Sequence, residues 1–92
     1  MVEIKVTVKN RAGLHTRPAA SLVKLSALYN SEIFLERDGF SINGKSIIGV
    51  MTLAAESGCV LTLRVEGDDE AEAAAAIERF FDSGFNEDLI EY

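Results

Sequence analysis

The sequence predicts a single α+β domain in which helices cover one face of a four-stranded sheet and water meets the other face. Three observations lead to this fold class. Four segments alternate between apolar and polar residues, as strands with one buried face do. Helix-favouring segments separate them in an order that suits one layer of helices on one sheet. A chain of 92 residues also has no room for a second core.

The first strand and the first helix are predicted from periodicity and from one proline. Residues 2–8 alternate between β-branched and polar side chains, which predicts a strand. A helix is predicted in the stretch HTRPAASLVKLSALY, because Pro18 fits a first helical turn, where its missing N–H would have no intrahelical partner. Either His15 or Thr16 is the expected N-cap, so His15 lies at a helix N-terminus. The expected inward stripe is Ala19, Leu22, Val23 and Ser26.

A β-hairpin is predicted in the middle of the chain. Residues 32–37 and 40–43 have the composition of strands, and Asp38-Gly39 lies between them. This pair favours a type I′ turn, because that turn needs positive φ at both central positions. The second and third strands are therefore expected to pair directly.

A short second helix is predicted after the hairpin. Ser46 is well placed to cap it, since a serine hydroxyl can accept a hydrogen bond from an N–H of the first turn. The helix is predicted over residues 47–55 and is ended by Gly58. Val50 and Leu53 fit its inner face.

The fourth strand and the third helix complete the predicted fold. Residues 59–66 alternate between apolar and polar side chains again. Asp68 or Asp69 is the expected N-cap of the third helix, and the acidic residues of its first turn complement the helix dipole. Gly84 lies where a left-handed C-terminal cap is expected.

Composition and charge exclude several classes of function. A net charge of −6 disfavours binding to nucleic acid. One cysteine and one histidine cannot build a disulfide or a usual zinc site, so neither a metal nor another cofactor is expected. The amino terminus reads as a strand and not as a signal peptide. No apolar run reaches the roughly 18 residues that a membrane span needs, so a soluble, cytoplasmic protein is expected.

The distribution of charge points to a small anionic ligand. One domain is expected over residues 1–92, with its core over about 2–84 and an acidic tail over 85–92. Most acidic residues lie in the second half. The basic residues of the first half include Arg11, Arg17, Lys24 and Lys45. A locally basic site on an acidic protein suits a small anion better than a long polyanion.

His15 is the candidate reactive residue. A lone histidine is ordinarily a surface or capping residue, but several features converge here. The unpaired N–H groups and the positive dipole end of a helix N-terminus bind phosphate, and Arg17 offers a planar fork of donors to phosphate oxygens. Thr16 and Pro18 begin the helix, and Gly13 permits a close approach of the backbone. The pattern predicts a phosphoryl group carried on His15.

Two segments of the sequence resemble the HPr family, the histidine phosphocarriers of the bacterial sugar phosphotransferase system. They are NRAGLHTRPAA (residues 10–20) and NGKSIIGVMTLAA (residues 43–55), and the similarity runs from about residue 2 to about residue 81. The resemblance implies an open-faced β-sandwich of the order βαββαβα, with three helices on one face of an antiparallel sheet ordered 1-4-2-3. It also implies that His15 accepts phosphate on Nδ1 from enzyme I and passes it to the A domain of a sugar-specific enzyme II, while Arg17 steadies the phosphoryl group. The protein would then be a carrier and not an enzyme.

The resemblance also implies roles for Ser46 and for the surface near it. Ser46 matches the family's regulatory phosphorylation site, although its position as an N-cap is a sufficient structural explanation. The implied partners of a monomeric carrier are enzyme I, enzyme II A domains, an HPr kinase/phosphorylase and a transcriptional regulator. Core packing is the rival explanation for the apolar members of the implied docking surface. These docking residues are Leu14, Ala20, Lys24, Lys45, Ile47, Ile48 and Met51.

Three other functions remain open from the sequence. In an incomplete phosphotransferase system, of which the nitrogen-related branch is one case, a phosphocarrier relays a regulatory signal and imports no sugar. A small ligand-binding module without phosphoryl chemistry would tolerate His15→Ala. A self-sufficient phosphotransferase or hydrolase is poorly supported, because the sequence has no GxxxxGKS/T phosphate loop, no paired metal carboxylates and no second histidine.

Overall fold

The computed structural model describes residues 1–86 and has the predicted order of elements, βαββαβα. The four strands form one antiparallel sheet in the order β1-β4-β2-β3, and three helices accompany it, so the predicted fold class is confirmed. No helix within residues 1–86 is long and apolar enough to cross a membrane. The elements are β1 (Val2–Thr7), α1 (Thr16–Ala27), β2 (Glu32–Arg37), β3 (Phe40–Asn43), α2 (Ile47–Thr52), β4 (Val60–Glu66) and α3 (Glu70–Asp82).

The core lies between the inner face of the sheet and the helices. Leu63 at the centre of β4 pairs with Ile4 on one side and Leu35 on the other, so alternate side chains of three strands meet on one face. Helices α1 and α3 bury their apolar stripes against that face. Val23 of the predicted α1 stripe is only half-buried. The largest fully buried side chains include Phe81, Leu22, Ile33, Leu35, Leu61, Leu63 and Ile77.

The hairpin between β2 and β3 turns where the sequence predicts. Asp38 has φ +52° and Gly39 has φ +82°, the two positive angles that a type I′ turn requires. Arg37 pairs with Phe40 across the turn. A local two-residue signal was therefore enough to set the register of this hairpin.

Helix α2 is shorter than predicted. It ends at Thr52 and not at residue 55, because Ala54 adopts a left-handed conformation with φ +48°. That conformation costs a non-glycine residue about 1–2 kcal/mol, so an alanine gives no sequence signal for it. Gly58 is also left-handed, with φ +89°, but it lies beyond the helix end and donates its N–H to Val8.

Asp69 precedes α3 as predicted, but its side chain does not cap the helix. The carboxylate instead accepts hydrogen bonds from the backbone N–H groups of Asn30 and Ser31, at 2.8 and 2.9 Å, and from the Ser31 hydroxyl. These bonds lower the pKa of Asp69, the Ser31 hydroxyl contributing most. Asp69 therefore ties the start of α3 to the connection between α1 and β2.

The C-terminal end of α3 closes in a Schellman motif. Gly84 is left-handed with φ +67°, as predicted, and it donates to the carbonyl of Phe81, while Phe85 donates to the carbonyl of Phe80. Phe85 belongs to the core, although the sequence places it in the tail: it is 4% exposed, and its ring lies about 5 Å from both phenylalanines. Of the predicted tail, residues 87–92 lie outside the described residues.

Candidate functional site

His15 is an exposed residue at the N-cap of α1. Its backbone is extended, with φ −85° and ψ −167°, and its carbonyl accepts the first intrahelical hydrogen bond, from Ala19 at 2.9 Å. The N–H groups of the next two residues, Thr16 and Arg17, belong to the first turn and point along the helix axis towards the N-terminus. Pro18 has no N–H and packs into the core. The 12-residue helix therefore presents its positive end beside the imidazole.

The loop that carries His15 is fixed by hydrogen bonds on both sides. Leu14 donates its N–H to the carbonyl of Ala55 at 2.9 Å, and the carbonyl of Gly13 accepts the His15 N–H at 2.9 Å. The buried side-chain amide of Asn10 also donates to the Gly13 carbonyl, at 2.8 Å. The backbone next to His15 is thus held by residues of two connections, β1–α1 and α2–β4.

Gly13 is required for contact with the connection between α2 and β4. Its φ is +79°, and a Cβ atom at this position would lie 2.8 Å from the Ala55 carbonyl oxygen and 3.0 Å from the Cα of Glu56. Both distances are shorter than ordinary contacts, and both involve backbone. The close approach expected from the sequence is therefore an approach to another part of this chain.

Three of the predicted site residues on α1 are exposed, and one predicted docking residue before the helix is not. Thr16, Arg17 and Lys24 lie on the surface, and Ala20 is half-buried. Leu14 is only 4% exposed and belongs to the hydrophobic core, so its prediction as a docking residue is wrong. The apolar neighbour of His15 anchors the loop from inside, because a buried leucine side chain gains more from packing than from contact with water.

The apolar residues of α2 that are predicted to contact partners lie exposed beside the start of α1. Ile47, Ile48 and Met51 are 40%, 76% and 41% exposed, whereas Val50 and Leu53 are buried as predicted. A shallow hollow of about 420 Å³ is lined by Thr16, Ile47, Ile48, Met51 and Thr52. We call Ile47, Ile48 and Met51 the α2 patch. Core packing does not fully account for these three residues, because 40% or more of each is exposed to water.

Ser46 caps α2 as predicted. Its hydroxyl accepts the N–H of Gly49 at 3.1 Å, and its carbonyl accepts the N–H of Val50 at 3.0 Å. The residue is half-buried and directly precedes Ile47 of the α2 patch. Any charge added to Ser46 is therefore added at the edge of that patch.

Lys45 is engaged within the fold. Its ammonium donates to the carbonyl of Tyr29 at 2.7 Å, just beyond the C-terminal end of α1, and its backbone N–H donates to the side chain of Asn43. A cation is favourable at this position, where helix carbonyls lack intrahelical partners. Lys45 thus joins α1 to the start of α2, which leaves Arg17 and Lys24 as the more accessible cations among the predicted docking and phosphate-binding residues.

Sequence reasoning did not identify Arg37, which contacts the turn beside the His15 loop. Its guanidinium donates to the carbonyls of Leu53 and Ala54 and to both carboxylate oxygens of Glu56. The pKa of Glu56 lies below its usual range, because the carboxylate accepts its own backbone N–H and the Arg37 guanidinium. These partners lie 16 to 19 residues away in sequence, so no local pattern marks the contact.

Metal ligands do not cluster in the described part of the chain. Within residues 1–86 there is no group of three or more His, Cys, Asp or Glu side chains that could hold a metal ion. Cys59, the one cysteine, is partly buried at the start of β4, and burial raises the pKa of its thiol.

Comparison with known proteins places this geometry in a family. Residues 2–83 match the family described as "PTS HPr component phosphorylation site". The chain is 50% identical over 88 residues to the phosphocarrier protein HPr of Treponema pallidum, covering 96% of this chain and all of that protein. It is 49% identical over 82 residues to the HPr-like protein Crh of Halalkalibacterium halodurans, covering 89% and 98%. The crystal structure of HPr from Thermoanaerobacter tengcongensis superposes with a TM-score of 0.91 at 42% identity, covering 95% and 98%. The chain belongs to the HPr family of phosphocarrier proteins of the phosphotransferase system.

Proposed function

We propose that His15 accepts a phosphoryl group on Nδ1 from phosphorylated enzyme I and passes it to the A domain of a sugar-specific enzyme II. The observation that carries this proposal is the position of His15, exposed at the N-cap of a 12-residue helix whose next residues include the exposed Arg17. A nucleophile placed at a helix N-terminus can receive an anionic group where N–H donors already point.

The proposed transfer needs only the residues at the start of α1 and a partner. The Nδ1 lone pair of His15 forms a bond to phosphorus as the bond between phosphorus and the donor breaks, and that electron pair leaves with the donor. In the second step the acceptor attacks phosphorus and His15 regains its lone pair. The first-turn N–H groups and the Arg17 guanidinium stabilise the phosphoryl oxygens in both steps.

A carrier, and not a catalyst, fits the composition of the site. The chain has one histidine, so no second imidazole stands ready as a general acid or base. The remaining parts of the transfer site come from the partner, which docks on the α2 patch. Its exposed apolar side chains, with Arg17 and Lys24 nearby on α1, suit apolar partner surfaces with acidic edges.

We also propose that Ser46 is a regulatory phosphorylation site for an HPr kinase/phosphorylase. A phosphate on the N-cap lies at a helix N-terminus, so it leaves α2 folded. It adds a charge of roughly −1.5 to −2 at the edge of the α2 patch and repels an acidic partner. Binding to enzyme I is thereby weakened, while the fold is unchanged.

A regulatory role is the second candidate function, and the relatives supply the observation that favours it. Two of them, from Halalkalibacterium halodurans and Bacillus subtilis, are named HPr-like protein Crh, and the Bacillus subtilis protein is described in a solved structure as the catabolite repression HPr. In that role the phosphorylated chain binds a transcriptional regulator. The two functions are compatible, since one acts through His15 and the other through Ser46.

The proposed carrier is a cytoplasmic monomer of one domain, spanning residues 1–92 with an acidic tail. The pairing of β1 with β4 is satisfied within one chain over six residue pairs, which supports a folded monomer. Solved structures of two relatives, the Bacillus subtilis Crh and the Thermoanaerobacter tengcongensis HPr, are described as dimers. Light scattering at several concentrations tests this part of the proposal, and a constant dimer mass would contradict it.

Phosphorylation by enzyme I tests the carrier function. The chain is incubated with phosphoenolpyruvate and a purified bacterial enzyme I, and its intact mass is measured. We expect a gain of one phosphoryl group that is labile in acid, stable in alkali, absent in His15→Ala and retained in Ser46→Ala. The absence of a gain with several enzyme I preparations would contradict the carrier function.

A further inference from the structure

The side chain of Arg37, at the end of β2, contacts the segment that follows α2. Its Nη1 lies 3.1 Å from the carbonyl oxygen of Leu53 and 3.0 Å from that of Ala54, and its Nη2 lies 3.0 and 3.2 Å from the two carboxylate oxygens of Glu56. We call residues 53–59 the α2–β4 turn. One guanidinium therefore bonds to three residues of this turn at once, which its rigid fork of donors allows.

These bonds support a backbone conformation that the sequence alone disfavours. Ala54 has φ +48°, in the region that glycine adopts readily and alanine does not. The carbonyls of Leu53 and Ala54 lie at the C-terminal end of α2, where carbonyls lack intrahelical partners and a cation is favourable. Arg37 supplies both the donors and the charge that this helix end needs.

The same turn holds the backbone beside His15. Ala55, the residue after the left-handed Ala54, accepts the N–H of Leu14 at 2.9 Å. Gly13 packs so closely against Ala55 that a Cβ atom would lie 2.8 Å from its carbonyl oxygen. A shift of the α2–β4 turn would therefore move or release the loop that carries His15.

The ion pair with Glu56 is the weaker part of the contact. The Glu56 side chain is 70% exposed, and ion pairs in contact with water contribute little. The two hydrogen bonds to the carbonyls of Leu53 and Ala54 contribute more, because the C-terminal end of α2 loses its geometry when these donors are removed. The effect of Arg37 on the turn is thus expected to survive high salt.

We propose that Arg37 is a positioning residue for phosphoryl transfer at His15: it holds the left-handed Ala54, and through Ala55 and Leu14 it holds the His15 loop. The inference rests on the proposed function, because transfer at His15 is the step that it serves. Arg37 bonds to Leu53, Ala54 and Glu56, none of which belongs to the start of α1 or to the α2 patch. Its loss should therefore slow the transfer step and leave docking unchanged.

The test compares Arg37→Met with Arg64→Met in the full-length chain. Arg64 is a matched control: it is a half-buried arginine on β4 whose guanidinium contacts Glu36 and Ser41, outside the turn. Hydrogen exchange at the Leu14 amide should accelerate about tenfold in Arg37→Met, the factor for a loss of about 1.4 kcal/mol, and stay unchanged in the control. Equal exchange in the two variants would overturn the proposal.

Kinetics of phosphorylation by enzyme I separate positioning from docking. With the chain as the varied substrate, Arg37→Met should lower kcat by about threefold to tenfold and leave KM within about twofold, since uniform binding is untouched. Arg37→Lys keeps the charge but cannot bond to two carbonyls and a carboxylate together. Its kcat should therefore lie between the values of the wild type and of Arg37→Met. A wild-type kcat in Arg37→Met would overturn the proposal.

Ala54→Gly should rescue the kcat of Arg37→Met, an outcome that a general structural role of Arg37 does not predict. Glycine adopts the left-handed conformation without support, so Arg37→Met should have little effect on kcat in an Ala54→Gly chain. If Arg37→Met lowers kcat as much in the Ala54→Gly chain as in the chain with Ala54, the proposal is contradicted. If enzyme I phosphorylates no variant, the proposed function fails, and exchange at Leu14 still decides whether Arg37 holds the loop.

Discussion

The backbone nitrogen of Leu14 lies 2.9 Å from the carbonyl oxygen of Ala55, so the loop that carries His15 is bonded to the turn after α2. The two segments are more than 40 residues apart in the printed sequence. Each is adjacent to a proposed functional element, His15 on one side and the α2 patch on the other. The position of His15 relative to the docking surface therefore depends on this contact between two loops.

Substitution of Gly13 tests the contact directly. Gly13→Ala forces a Cβ atom against the Ala55 carbonyl oxygen at a backbone with φ +79°, whereas Gly39→Ala meets no atom within 4 Å at φ +82°. Both variants carry the cost of a left-handed alanine, about 1–2 kcal/mol. We expect Gly13→Ala to lose roughly 1–3 kcal/mol more, the cost of overpacking, in urea unfolding. Equal losses would show that the two loops are not in close contact.

Arg17 is expected to accelerate transfer without being essential. Arg17→Ala removes charged hydrogen bonds to the phosphoryl oxygens, worth about 1.5–3 kcal/mol, so phosphorylation by enzyme I should slow by roughly tenfold to a hundredfold. Lys5→Ala is the control, because Lys5 is an exposed cation on β1 that bonds to Thr62 and belongs to neither the predicted site nor the docking surface. Its effect should be less than about threefold, since an exposed charge outside the site is screened. Equal effects would show that Arg17 acts only through long-range charge.

Charge at position 46 should control the encounter with enzyme I. Ser46→Asp and Ser46→Asn both keep a good N-cap for α2, and only the first adds a negative charge. We expect a higher KM for the aspartate variant in phosphorylation by enzyme I and a nearly unchanged KM for the asparagine variant. Thermal unfolding of both should match within a few degrees. Identical kinetics of the two variants would argue against the regulatory role of Ser46.

Asp69 makes the stability of the domain depend on pH. Hydrogen bonds from Ser31 and Asn30 hold the folded-state pKa of this carboxyl below its unfolded value. The contribution of Asp69 to the free energy of unfolding is therefore fully present above the pKa of the unfolded state. It is lost as the pH falls through the lower pKa of the folded state. The difference in Tm between wild type and Asp69→Asn should shrink as the pH falls from above the pKa of an unfolded aspartate, about 3.9, to below the lower pKa of the folded state. Asp68→Asn, at the exposed neighbour, should show no comparable change.

Phe85 should contribute to the core although it follows the last helix. Its ring is 4% exposed and lies 5.2 Å from the ring of Phe80 and 5.0 Å from that of Phe81. Phe85→Ala should lower the free energy of unfolding by about 3 kcal/mol. Phe40→Ala, at a residue that is 53% exposed, should cost less than about 1 kcal/mol. A smaller loss at Phe85 than at Phe40 would contradict its placement in the core.

Much of the fold follows from local patterns in the sequence. Strand alternation, the Asp38-Gly39 turn, the Ser46 cap and Gly84 each act within a few residues, and each is found where predicted. The order of the strands followed from resemblance to a family, because pairing between distant segments leaves no local trace.

The mistakes concern contacts between distant segments. The resemblance implied that Leu14 belongs to the docking surface, but its backbone N–H bonds to the Ala55 carbonyl and its side chain is buried in the core. Helix α2 ends early, before a left-handed alanine whose carbonyl accepts a hydrogen bond from Arg37, 17 residues away. Periodicity and propensity predict the conformation that a segment prefers by itself. Leu14 and Ala54 instead adopt the burial and the backbone conformation that contacts with distant segments require.

The central claim is that the phosphoryl group is carried on a ring nitrogen of His15. Because the chain has a single histidine, labelling with ¹⁵N-histidine gives imidazole signals from that residue alone. After addition of phosphoenolpyruvate and enzyme I, we predict a shift of the Nδ1 resonance with coupling to ³¹P, and its reversal when an acceptor enzyme II A domain is added. Unchanged ring resonances under conditions in which the enzyme I is itself phosphorylated would contradict the claim.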